Sequence, residues 1–174
     1  MKFGLFHIVP WHESRTQEQS LQDALEQIEL ADQVGIDEVW LGEHRFSRHG
    51  LLSGIFSFLG AVAARTKHVR IGTAVVVLPL HNPIMVAEEA ALVDVLSNGR
   101  LDFGVGRGST RYEYGNFNVD FETRTKRFQE SLDIILGLWT TPGFTYHGEF
   151  YQVDDLTIAP TPVQRPRPPV YMAV

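Results

Sequence analysis

The sequence predicts a parallel α/β fold, and three observations carry that prediction. Short runs rich in valine, isoleucine and aromatic residues alternate with segments whose apolar residues recur at helical spacing. Helix starts are written locally, as a capping box at Thr16-Gln17-Glu18-Gln19 and as a cap followed by proline at Asn82-Pro83. Glycines at positions 35 and 99 stop helical segments just ahead of the next β-rich run.

The first strand is expected at residues 3–8. The opening ten residues resemble a signal peptide, but the apolar core is short, is broken by Gly4 and His7, and lacks a small-residue cleavage site. After the capping box, Leu21, Ala24, Leu25, Ile28 and Ala31 share one helical face as far as Gly35. A second strand is expected at 38–42, followed by a polar loop and an apolar stretch from 51 to 64 that is too long for one strand and reads as a helix. The valine-rich segment 69–78 reads as one buried strand, and Ala87, Ala90, Ala91 and Leu96 carry the next helix towards Gly99. A fourth strand at 101–105 leads through a Gly/Arg/Tyr-rich loop to an amphipathic helix marked by Phe128, Leu132, Ile135, Leu136 and Trp139. Residues 144–153 read as an extended excursion, 160–169 as a proline-rich connector, and 170–174 as a fifth strand. The chain reads as a single domain over residues 1–174. A buried terminal strand needs neighbours on both sides, so the expectation is a fragment or a sheet completed by something else.

Composition narrows the function. With 15 Lys+Arg against 21 Asp+Glu and a formal charge of −6, the chain shows no electrostatic footprint for nucleic acid or an anionic membrane. It has no cysteine, which excludes a disulfide framework, a thiolate metal site and a thiol nucleophile. No apolar run approaches the ~20 residues that span a bilayer, so a cytoplasmic, soluble protein with small-molecule partners is expected. Metal ligation is not expected, because His7 and His12, and His44 and His49, are spaced five apart and no H-E-x-x-H motif is present.

In parallel α/β folds ligands bind at the carboxyl ends of strands. After the second strand stands Glu43-His44-Arg45-Phe46, where a histidine can serve as acid, base or donor, or simply satisfy loop backbone groups. Small residues at Gly72-Thr73-Ala74 admit either a flat ring or tight packing. Gly104-Val105-Gly106-Arg107-Gly108-Ser109 exposes backbone N–H groups beside a forked donor suited to phosphate, but it lacks the dinucleotide-binding spacing.

Taken together, Lys2-Phe3-Gly4, the run from Val39 to Phe46 with Gly50-Leu51, Gly72-Thr73-Ala74 through Leu78-Pro79 with His81 and Pro83, and Ser97-Asn98-Gly99-Arg100 leading to Gly106-Arg107-Gly108 resemble the luciferase-like flavin monooxygenases. The resemblance runs from residue 2 to the end. It implies a TIM (β/α)₈ barrel, present here as an incomplete barrel of about five β/α units. It implies FMN, reduced by a separate flavin reductase, reacting with O₂ to give a peroxyflavin that oxygenates a small apolar organic substrate. By matching position, His44 is the catalytic acid or base and Glu43 a neighbouring pocket residue that borders the cofactor. Ala74 and Val75 lie against the flavin ring at a peptide bond that is cis in several family members, Arg107 with Ser109 holds the phosphate, and Arg124 is a further flavin-contacting arginine. Gly106 and Arg45 replace a cysteine and a histidine of the bioluminescent members, so light emission is not supported. A deazaflavin-dependent oxidoreductase is the alternative chemistry, and a flavin-binding or interaction relative without catalysis the alternative class. A homo-oligomer or a partner-completed barrel is expected.

Overall fold

The computed structural model describes residues 1–173; Val174, the last residue of the expected fifth strand, lies outside them. The strands are β1 (Gly4–His7), β2 (Glu38–Leu41), β3 (Arg70–Thr73), β4 (Val76–Val77), β5 (Leu101–Gly106), β6 (Phe144–His147), β7 (Gln152–Leu156) and β8 (Val170–Met172). The helices are α1 (Gln17–Val34), α2 (Ile55–Arg65), α3 (Pro83–Leu96), α4 (Arg111–Asn116) and α5 (Arg124–Thr140). No helix among the described residues is long and apolar enough to cross a membrane.

β1, β2, β3, β5 and β8 lie side by side in parallel, with β4 continuing the line of β3 along the same edge of β5. Sequential order of this kind makes a barrel wall, without the strand reversal of a doubly wound sheet. One face of the wall packs on the helices through Val39, Leu41, Ile71, Leu101, Phe103 and Val105, all buried. On the other face the register aligns Phe6 with Trp40 and Trp40 with Gly72, and Gly104 with Tyr171. The Trp40 ring lies over Gly72, where an added Cβ would collide with the indole, and meets Tyr171 edge-on at 5.0 Å. Phe6 and Tyr171 are 59% and 47% exposed on this concave side.

One expectation is corrected. The strand expected over 69–78 is interrupted: the Thr73 hydroxyl accepts from Gly104 N–H at 2.8 Å and donates to Gly104 C=O at 2.7 Å, replacing the backbone ladder at that point. The Ala74–Val75 peptide is cis, as the resemblance implied; β4 is short, and Leu78–Leu80 winds into a 3₁₀ turn around Pro79, which has no N–H to give a ladder. The excursion at 144–153 is the antiparallel hairpin β6–β7, held on α5 by buried Glu130, which accepts from the N–H groups of Glu149, Phe150 and Tyr151. The loop after β5 also contains a short helix, α4, that its glycine content conceals.

Candidate active site at the strand ends

Three loops at one rim carry the candidate residues, because β2, β3–β4 and β5 are parallel neighbours whose carboxyl ends emerge together. Glu43 leaves β2 one residue after Gly42, whose missing side chain lets Ile8 and the Ala74 carbonyl come close. Its side chain is only 1% exposed. One carboxylate oxygen accepts from Val77 N–H at 3.0 Å, and Arg45 Nε and Nη2 approach the other at 2.8 and 2.7 Å. His81 Nε2 lies 2.8 and 3.1 Å from the two oxygens and is the donor, since an ionised carboxylate only accepts. Burial pushes the Glu43 carboxyl up, but the bond and charge of His81, then Arg45 and Val77 N–H, outweigh it and hold the group below its ordinary range.

Arg45 extends the network to the next loop. Its N–H donates to buried Glu113 of α4 at 3.3 Å, and its guanidinium stands 5.1 Å over the Phe117 ring. Glu43 therefore ties the loops after β2, β4 and β5 to one another. Its own oxygens are occupied in doing so.

Arg107 follows β5 directly and is exposed. Its guanidinium makes one long contact, 3.4 Å to Thr125 Oγ1. Its carbonyl is pinned by the Tyr114 hydroxyl, which burial pushes up to about 12 against the charges of Arg124 and Arg107, so that it stays a donor. Gly106 and Gly108 press against Val75 and Val77; a Cβ at either would stand 2.6 Å from a valine methyl. Ser109 is exposed, and Arg124 and Arg111 lie 4.0 and 4.1 Å over the Phe121 ring. Arg107, Ser109 and Arg124 thus share the β5–α5 connection.

His44 turns towards the loop after β1. Its ring meets that of His49 edge-on at 4.8 Å and lines a cavity of about 410 Å³ with Trp11, Phe46, Arg48 and Leu51. Neither Ala74 nor Arg107 lines that cavity. Arg45, His81, Glu113, Trp11 and Arg48 were missed as site residues by sequence reasoning. The available signal was charge complementarity between Glu43 and His81, placed just past the ends of neighbouring strands.

Comparison with known proteins follows the same lines. A family model described as luciferase-like monooxygenase matches residues 1–174. The chain is 37% identical over 176 residues to the oxygenase component of a flavin-dependent trigonelline monooxygenase from Acinetobacter baylyi, covering 99% of this chain and 49% of that protein. It is 36% identical over 159 residues to an F420-dependent glucose-6-phosphate dehydrogenase from Amycolatopsis mediterranei, covering 87% and 47%. Among solved structures, monooxygenase RslO1 from Streptomyces bottropensis superposes with a TM-score of 0.95 at 32% identity, over 100% of this chain and 54% of that one. The chain thus spans about half the length of the relatives it matches.

Proposed function

This chain belongs to the luciferase-like monooxygenase family, and we propose that it forms the cofactor-binding half of a barrel that uses reduced FMN and O₂ to oxygenate a small organic substrate. The carrying observation is the donor set after β5: an exposed Arg107 guanidinium with one long contact, on a glycine loop whose backbone Tyr114 pins, with Ser109 two residues on. Arg124 at the start of α5 is partly engaged by Phe121 and Glu122. Those groups fit a phosphate dianion. Arg107 and Ser109 would hold it with Arg124 in support, and Ala74 and Val75 would border the ring. When bound, the reduced flavin supplies the oxygen-activating chemistry, one atom of O₂ going to substrate and the other leaving as water.

His44 is assigned the proton-transfer role, because its ring makes no hydrogen bond to the described residues and lines a cavity. Glu43, expected to border the flavin, is assigned instead to holding the three loops, because its oxygens are already engaged. Reduced flavin arrives from a separate reductase in the cytoplasm. The concave face, where Phe6 and Tyr171 are exposed, is covered by the rest of a (β/α)₈ barrel, from further chain or from a second molecule.

The test is O₂ consumption with chemically reduced FMN and a panel of organic substrates. His44→Ala should bind FMN as the parent does yet lose about 10²-fold or more in turnover. Equal turnover in the two proteins would make His44 structural. The F420-dependent relative supports a second reading, hydride transfer with a deazaflavin. In that case the chain would bind the deazaflavin in preference to FMN, and the substrate would be oxidised without O₂ uptake.

A further inference from the structure

The His44 cavity holds a donor set that the proposed cofactor contacts leave unused. Arg48 Cζ stands 3.9 Å over the Trp11 ring, while Trp11 N–H donates to the Arg48 carbonyl at 2.9 Å, so the loops after β1 and β2 hold the pair at both ends. A guanidinium held over an indole face is fixed in place while its N–H donors stay available to a carboxylate. Among the described residues no carboxylate pairs with Arg48; the arginine ion pairs run through Arg15, Arg45, Arg65, Arg70, Arg111 and Arg124. The cavity thus carries one unpaired cation, Arg48, and no carboxylate among its lining residues, beside aromatic surface from Trp11 and Phe46.

We propose that this cavity takes a planar substrate carrying a carboxylate, with Arg48 receiving the carboxylate, Trp11 orienting Arg48, and the ring resting against the aromatic wall that His44 shares. The proposal deepens the oxygenase reading, rests on its placing substrate beside His44, and replaces an apolar substrate with an anionic one. Arg48 is specificity-determining: a neutral analogue of the same shape leaves the guanidinium unpaired and loses the charge-assisted bonds. A cofactor phosphate has its own donors at Arg107, outside this cavity.

Benzoate and benzamide, matched in ring and differing in charge, are titrated into the full chain and followed by ligand-observed NMR, with inorganic phosphate as competitor. Benzoate should bind saturably and at least about tenfold tighter than benzamide. Arg48→Gln should abolish that preference while keeping the parent's circular dichroism and FMN affinity, and Arg48→Lys should restore part of it. Three results would overturn the proposal: no saturable benzoate binding, a preference that survives Arg48→Gln, or displacement of benzoate by phosphate at equal concentration, which would assign these donors to the cofactor. A parent chain that shows the Arg48-dependent preference but binds no flavin would uphold the anion site and sink the oxygenase reading.

Discussion

A carboxylate as buried as Glu43 persists because three partners surround it, and their removal is costly in a calculable direction. Glu43→Ala strands Arg45 without its counter-charge and His81 without its acceptor, and should destabilise the chain by about 3–5 kcal/mol. The pH dependence follows from the shift. Burial raises the carboxyl, the His81, Arg45 and Val77 contacts lower it by more, and the folded value falls below the ordinary 4.5. The pairing therefore stabilises the fold above about pH 4.5 and is lost as pH falls through the lower folded value. Urea unfolding over a pH series should show a flatter acid limb for Glu43→Gln than for the parent; parallel limbs would mean that the carboxylate is not the titrating element. Glu43 was legible as a strand-end residue, but its role was not. A carboxylate offered to a ligand and one offered to a neighbouring loop look alike in one dimension, and the partner His81 lies 38 residues away.

Elements were legible where their signals are local. Thr16 and Gln19 exchange both capping bonds, and Asn82 accepts from Ile84 and Met85 N–H, so α1 and α3 begin where their sequence says. The break between β3 and β4 was not legible, because it depends on Thr73 reaching Gly104, 31 residues on. Trp40 and Gly72 form a comparable long-range fit. A methyl group at 72 displaces the indole, which also donates to Glu38 at 2.8 Å and touches Tyr171. Gly72→Ala should cost about 1–3 kcal/mol by overpacking, and should weaken the near-ultraviolet circular dichroism of Trp40. Unchanged stability and an unchanged spectrum would show that the ring has room to move.

At the scale of the whole molecule, the parallel sequential strand order, which brings the loops after β2, β4 and β5 to one rim, was legible from the β/α alternation, whereas the exposed surfaces were not. The concave face presents Phe6 and Tyr171, and the outer side of α3 presents Met85, Leu92 and Leu96 at 58%, 47% and 57% exposure. Surfaces of this kind drive association. The 174-residue chain should elute as an oligomer under light scattering, and charged substitution at Phe6 or Leu92 should reveal which face is responsible; a parent that stays monomeric at high concentration would show that neither is sticky. The proposed cofactor site is tested most directly by titrating the chain with FMN beside its Arg107→Ala variant. The donor set after β5 predicts saturable binding by the parent and a loss on the order of 2–4 kcal/mol, about thirtyfold or more in affinity, in the variant. Equal FMN affinity in two folded proteins would contradict it.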